Sequence, residues 1–182
     1  MRLGVKARKA LLPDSAAIHH LIRGYADEGI LLPRPLAEIH ENIRDFTVVV
    51  SRGAIIGCGA LHFYGPHLAE VRSIAVAPQA QGRGAGSKLI KALLDEAAAH
   101  HIAQLCLFTR SPQYFAKLGF VAVEHQTLPD KMFKDCQYCP RFHNGCDEVA
   151  MVYAGADAAD APAAIAAAQS PSLRILQSTP RG

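Results

Sequence analysis

The sequence predicts an α/β fold, an α+β arrangement in which a central mixed sheet carries helices on both faces. Three observations predict it. The apolar run Ile74-Ala75-Val76 passes through a glycine-rich turn, Gln81-Gly82-Arg83-Gly84-Ala85-Gly86-Ser87, into a helical pattern. Before it, strand-like runs are joined by the hairpin turns Arg52-Gly53 and Gly65-Pro66-His67. After it, the helix returns the chain to a further strand, the crossover that parallel neighbours require. A sheet with both kinds of connection is mixed, and its faces need helical cover.

Each element follows from local pattern. Residues Val5–Ala10 read as the first strand. A helix starts at Pro13-Asp14, with Ile18, Leu21, Ile22 and Tyr25 on one face, and stops at Gly29. After the loop Ile30–Pro35, a second helix carries Leu36, Ile39 and Ile43. Phe46–Ser51 and Ile55–Tyr64 form a hairpin, and Gly57 and Gly59 in the returning strand predict a bulge or a close contact. Glu70–Val76 is the next strand. The helix from about Gly84 to His100 shows Leu89, Ile90, Leu93, Leu94 and Ala97 at helical spacing. Leu105–Thr109, Phe120–Glu124 and Val149–Tyr153 complete the strands, with a short helix at Pro112–Leu118.

Composition bounds the function. The chain has 182 residues, half of them hydrophobic, and a formal net charge of +3. That suits one domain, spanning residues 1–153, with a real core. The alanine-rich tail, residues 154–182, is expected to be disordered. Charges are mixed along the chain, which gives nucleic-acid binding little support. No apolar stretch is long enough to span a bilayer, and the start lacks the apolar core of a signal peptide. A cytoplasmic protein is expected. Five cysteines, an odd number, fit reduced thiols better than a disulfide framework.

The glycine-rich turn points to a diphosphate. Three glycines at alternate positions admit close backbone approach, and the helix start adds unpaired N–H donors at a positive dipole end. A dinucleotide fingerprint would need G-x-G-x-x-G and an acid about 20 residues on, and a Walker loop would need Gly-Lys-Ser/Thr. Neither fits Gly82-Arg83-Gly84-Ala85-Gly86-Ser87-Lys88. The remaining reading, Gln81-x-x-Gly84-x-Gly86, resembles the acetyl-CoA motif of the GNAT N-acetyltransferases. Tyr114-Phe115-Ala116-Lys117-Leu118-Gly119-Phe120 resembles a second signature of that family, one strand and one short helix later. The resemblance covers about residues 5–153. It implies acetyl-CoA as cosubstrate, with Gln81, Gly82, Arg83, Gly84, Ala85, Gly86 and Ser87 on the diphosphate. It also implies Ile74, Ala75 and Val76 along the pantetheine arm, and a backbone N–H near Val76 on the thioester oxygen.

Acetyl transfer to an amine also needs a base, because an ammonium cannot attack. Glu70, at the head of the strand that leads to the thioester, is the candidate. It would take the proton directly or through water. The general acid is open. Where many family members carry tyrosine this chain has Phe115, leaving Thr109, Ser111 or water to protonate the thiolate.

The acceptor is narrowed by a further resemblance. Leu31-Leu32-Pro33-Arg34-Pro35, Gly57-Cys58-Gly59-Ala60-Leu61 and Ala69-Glu70-Val71-Arg72-Ser73-Ile74-Ala75-Val76 are similar to the acetyltransferase part of N-acetylglutamate synthases. So are Leu128-Pro129-Asp130-Lys131 and Asp147-Glu148-Val149-Ala150-Met151-Val152. The resemblance implies the α-amino group of L-glutamate as acceptor, the first step of arginine biosynthesis. Leu32, Arg34, Arg72 and Ser73 would then line the substrate site. A dicarboxylate needs cations with forked donors, and Lys131 is a third, weaker candidate. Ser73 would point away from Arg72 unless a bulge intervenes. Homodimers are common in such a family. The rival readings are another amino acid or small amine as acceptor, or a non-catalytic module that binds acetyl-CoA or senses metal.

Cys136-x-x-Cys139-x-x-x-His143-x-x-Cys146 has tetrahedral zinc spacing. A structural zinc could order the connection before the last strand. A redox-labile thiol pair or a packed loop without metal fits the same residues.

Overall fold

The computed structural model describes residues 4–155. Most of the tail expected to be disordered therefore lies outside the described residues. Among the described residues, seven strands form one sheet in the order β1-β2-β3-β4-β5-β7-β6. They are β1 (Lys6–Lys9), β2 (Phe46–Ser51), β3 (Ala54–Gly65), β4 (Leu68–Val76), β5 (Leu105–Thr109), β6 (Phe120–Val123) and β7 (Val149–Tyr153). Only the β4–β5 pair is parallel. The sheet is mixed, as expected.

Helices cover both faces. The helix α1 (Ser15–Asp27) begins where Asp14 accepts the Leu11 N–H at 2.8 Å and a bidentate pair from Arg8. With the short α2 (Leu36–Glu41) it buries Ile18, Ile22 and Ile39 against Phe46, Val48, Cys58, Ala60 and Ala75. On the other face α3 (Ala85–Ala99) buries Leu89, Ile90, Leu93 and Ala97 against Val49, Leu61, Val71 and Leu107. Val48 and Val49 thus serve opposite faces, the period of two that an apolar central strand allows. Gly59 is a close contact, as its position predicts: a Cβ there would strike Ile74 and crowd Leu93.

Two irregularities of β4 create the site. Its pairing with β5 is confined to Ala69↔Leu105 and Glu70↔Cys106, after which the strands part. The remainder of β4 therefore has an open edge facing a cleft. On its other side, Ala60 pairs with Arg72 and Cys58 with Ala75, so two β3 steps oppose three β4 steps. The extra residue is a bulge at Ser73, whose φ is +55°.

The connection from β6 to β7 is more ordered than the sequence suggests. It contains α5 (Pro129–Lys134) and short 3-10 turns at His125–Thr127, Cys136–Tyr138 and Phe142–Asn144. These elements are too short to show a periodicity. The fully buried Leu128 anchors them between Leu68, Cys106 and Ala150. The short helix α4 (Pro112–Ala116) precedes β6.

Candidate active site

At the head of α3 the chain turns through Gly82 and Gly84, at φ +68° and +81°, the left-handed region that side chains resist. Helical bonding begins with the Lys88 N–H to the Gly84 carbonyl at 3.0 Å. The N–H groups of Ala85, Gly86 and Ser87 precede that bond and have no carbonyl one turn back in the helix. Converging donors at a helix start suit a diphosphate. Tyr114 crosses this loop: a Cβ on Gly86 would lie 2.5 Å from its hydroxyl oxygen. The open edge of β4 ends at Val76, whose carbonyl accepts the Tyr25 hydroxyl. Gln81 folds back and donates to Tyr25 Oη at 2.6 Å. Arg83 is exposed, while Ala85 is buried beneath the loop.

Beside the parting strands lies a cavity of about 550 Å³. Leu32 and Arg34 form one wall, Arg72 and His62 come from the sheet, and Lys131, Asp135 and the three cysteines come from the β6–β7 connection. The bulge turns Ser73 toward this wall, where its Oγ accepts Arg34 Nε at 2.7 Å. Arg34 also pairs with Glu38 one turn along. Among the described residues its Nη2 makes no hydrogen bond within the protein, so one face of the guanidinium is open to a ligand. The 29–31 segment that carries this wall is strapped to the other side of the cleft. Arg110 donates to the Gly29 carbonyl at 2.7 Å and Arg141 at 2.6 Å.

Glu70 is 3% exposed and does not itself line the cavity. It sits opposite His62 in the β3–β4 register, with Tyr64 and Arg72 one pleat away on the same face. Lys131 Nζ lies 2.9 Å from one Glu70 oxygen and 3.1 Å from Asp135 Oδ2. Arg72 stands 3.8 Å from Glu70 and 3.5 Å from Asp135. Tyr64 Oη is 2.8 Å from Glu70 Oε2 and 2.5 Å from Asp135 Oδ2. Burial works to raise the Asp135 carboxyl, but the Tyr64 hydrogen bond and the Lys131 charge outweigh it, and it lies below the usual carboxylate range. Burial likewise works against the Lys131 ammonium, and the Glu70 and Asp135 charges more than compensate and raise it. Burial and both carboxylates push Tyr64 upward, so its hydroxyl stays protonated.

At the end of β5 and on α4, Phe115 is buried and Thr109 Oγ1 accepts the Ser111 N–H at 2.9 Å. The Tyr114 hydroxyl stands over Gly86 at the diphosphate loop.

The zinc expectation is not supported. Among the described residues no group of three or more His, Cys, Asp or Glu side chains is placed to hold a metal ion. Cys136, Cys139 and Cys146 do line one cavity, but His143 is exposed and its Nε2 lies 3.2 Å from the Gln137 carbonyl. The successive 3-10 turns spread the thiols along the wall. Burial pushes the Cys136 thiol up to about 11.

Sequence reasoning did not single out Tyr64 or Asp135, nor Tyr25 as a partner of Val76. Tyr64 carries a weak signal, since it alternates with His62 on the strand paired with Glu70. Asp135 is 65 positions from Glu70 in the chain (135 minus 70) and carries none.

Comparison with known proteins agrees with this geometry. The profile of the acetyltransferase (GNAT) family matches residues 16–120. An uncharacterised N-acetyltransferase of Chlorobaculum tepidum is 37% identical over 145 residues, 80% of this chain and 93% of the relative. An amino-acid acetyltransferase of Mycobacterium tuberculosis is 31% identical over 131 residues, 70% of this chain and 75% of the relative. The structure of N-acetylglutamate synthase from Neisseria gonorrhoeae, complexed with coenzyme A and N-acetyl-glutamate, superimposes with a TM-score of 0.75 at 30% identity. That match covers 84% of this chain and 35% of the synthase.

Proposed function

The chain belongs to the GNAT acetyltransferase family and is an acetyl-CoA-dependent acyltransferase; on that premise we propose that it acetylates the α-amino group of L-glutamate, the first step of arginine biosynthesis. The observation that carries the reading is the open face of Arg34, fixed by Ser73 on the cavity wall beside the parting of β4 and β5. A guanidinium so held suits an acceptor carboxylate. The names of the Mycobacterium and Neisseria relatives favour an amino acid, and the latter favours glutamate.

In this reading acetyl-CoA supplies the activated thioester. The residues of this chain hold and position it. The N–H groups of residues 82–87 bind the diphosphate, and the open edge of Ile74–Val76 pairs with the arm. A β4 N–H near Val76 stabilises the thioester oxygen as it gains charge. Glu70 is the base that frees the amine, which attacks directly, and water, Thr109 or Ser111 protonates the thiolate.

A second acceptor class has a specific observation in its favour. Lys131 and Arg72 are already shared between Glu70 and Asp135, and Lys134 is paired with Asp130, so among the described residues lining the cavity Arg34 is the cation with a donor, Nη2, left open. One open cation suits an amino acid with one carboxylate, such as glutamine.

The test is CoA release with acetyl-CoA and glutamate, glutamine, aspartate and a polyamine in turn. Saturable turnover best on glutamate supports the first reading, and turnover best on glutamine selects the second. A preference for the polyamine overturns both.

A further inference from the structure

Glu70 is the base in the reading above, yet its carboxylate is sealed from the cavity, while Asp135 stands on the cavity wall. One hydroxyl joins the two. Tyr64 Oη lies within hydrogen-bond distance of both Glu70 Oε2 and Asp135 Oδ2. A phenol carries one proton and can donate to one carboxylate at a time. Both contacts are satisfied together only when the other carboxyl is protonated and donates to the phenol oxygen. Whichever carboxyl holds that proton, Tyr64 donates to its partner, so the arrangement has two hydrogen-bonded forms, one with the charge on Asp135 and one with it on Glu70.

The same two cations serve both forms. Lys131 touches both carboxylates, and Arg72 stands within 4 Å of both. Moving the negative charge from one carboxylate to the other leaves it beside the same two cations. Rings and a further cation pack around the cluster. Lys131 Nζ rests over the Phe108 ring at 5.4 Å, Lys134 over the Tyr64 ring at 5.5 Å, and the His62 ring meets Tyr64 edge-on at 5.0 Å. Among the described residues the thiols of Cys106 and Cys136 also face the cluster. Burial pushes the former up to about 12 and the latter up to about 11, so neither competes for the proton.

We propose that Tyr64 and Asp135 form a proton relay that carries the acceptor's proton from the cavity wall to Glu70. The inference rests on the acyltransferase reading and extends it. The ammonium N–H bond breaks as a proton passes to Asp135. Asp135 Oδ2 passes a proton to Tyr64 Oη as Tyr64 passes its own to Glu70 Oε2. One N–H bond is lost and one O–H bond is made on Glu70, while Asp135 and Tyr64 return to their starting states. The positive charge on the nitrogen and the negative charge on Glu70 are cancelled together. After product leaves, the chain runs in reverse and gives the proton to water in the cavity. Tyr64 is a relay residue and Lys131 a positioning residue.

The experiment is the pH dependence of kcat for Tyr64→Phe and Asp135→Asn, on whichever amine of the panel the wild type acetylates best. Acetyl-CoA affinity is measured in parallel as the check on folding. Tyr64→Phe keeps the ring and removes the shared oxygen. Its kcat at neutral pH is expected to fall about 10²-fold, the lower range of general acid–base contributions. KM for both substrates is expected to stay unchanged. The loss is expected to disappear above the pKa of the acceptor amine, where the amine arrives neutral and the proton it still sheds on forming the amide passes to the leaving thiolate. Asp135→Asn is expected to behave alike, and it carries the test if Tyr64→Phe does not fold. A loss equal at every pH would mark a structural role and overturn the relay, as would wild-type kcat in both variants. If the preferred amine is not glutamate, the glutamate reading fails while the relay is still read on that amine. If the wild type acetylates no amine in the panel, both fall.

Discussion

Arg34 Nε donates a 2.7 Å hydrogen bond to Ser73 Oγ at the cavity wall, joining the loop before α2 to the bulge of β4. The bond exists because Ser73 adopts φ +55° and departs from the alternation of its strand. The guanidinium is thereby fixed with one face toward the cavity. Arg34→Ala is expected to raise KM for an amino-acid acceptor by about 10–100-fold, the equivalent of one charge-assisted hydrogen bond of about 1.5–3 kcal/mol. KM for acetyl-CoA should stay unchanged. Ser73→Ala removes only the brace and should cost less. Steady-state kinetics with both substrates varied checks the pair.

Lys131 neutralises two carboxylates, one of them almost fully buried. Lys131→Met would leave Glu70 and Asp135 with Arg72 alone, and breaking such a buried pair costs about 3–5 kcal/mol. Urea denaturation at neutral pH checks this. The pH dependence follows from the direction of each shift. Asp135 is lowered on folding, so it contributes stability above the unfolded carboxylate value of about 3.9 that is lost as the pH falls through its lower folded value. Lys131 is raised, so its contribution is complete below about 10.4 and is lost as the pH rises through its higher folded value. The variant should lose the alkaline limb and show a weaker acid limb than the wild type.

Gly86 and Tyr114 share a space that only one of them can fill. A Cβ on Gly86 meets the Tyr114 hydroxyl oxygen at 2.5 Å, with the next ring carbon at an ordinary 3.5 Å. Gly86→Ala is therefore expected to shift the diphosphate loop and weaken acetyl-CoA binding. Adding Tyr114→Phe removes the clashing atom and should recover most of the loss. A double-mutant cycle on the acetyl-CoA dissociation constant measures that coupling, and additive effects would refute it.

The β6–β7 connection holds its shape through Leu128 and short turns, with no clustered metal ligands among the described residues. Purified protein is expected to carry zinc below stoichiometry. Treatment with a chelator should leave the melting temperature and activity unchanged. Metal analysis beside a thermal melt checks both.

The legible parts of the molecule are those whose signal is local. Leu105–Thr109 and Val149–Tyr153 are apolar runs bounded by turn residues, and their ends agree with the sequence reading. The Gly82–Gly86 turn is legible because glycine is the residue that tolerates its backbone. The Ser73 bulge was open in the sequence because serine does not announce a left-handed φ. The Tyr64–Asp135 contact joins residues 71 apart, and α5 is too short to show a face. The cysteine spacing has no matching ligand cluster among the described residues for a related reason. Spacing describes the chain, while coordination depends on how successive turns aim each side chain.

Arg141 and Arg110 hold the Gly29 carbonyl from the far side of the cleft, and Arg141 also reaches the Leu31 carbonyl at 3.4 Å. The segment they hold carries Leu32 and Arg34, so the acceptor wall depends on residues that follow it by about a hundred positions. Arg141 is itself positioned by Glu148 at 3.5 Å, and Arg110 by Asp147 at 2.8 Å. Arg110 is the more exposed of the two, and its ion pair contributes little on its own. Arg141→Ala is expected to loosen the wall and raise acceptor KM about tenfold, the loss of roughly one hydrogen bond to a charged group. Acetyl-CoA binding, proposed at the glycine-rich turn before α3, should be unaffected. Hydrogen exchange should quicken in residues 29–34 and stay unchanged in α3. Equal quickening in both regions would show that Arg141 supports the fold as a whole rather than the acceptor wall.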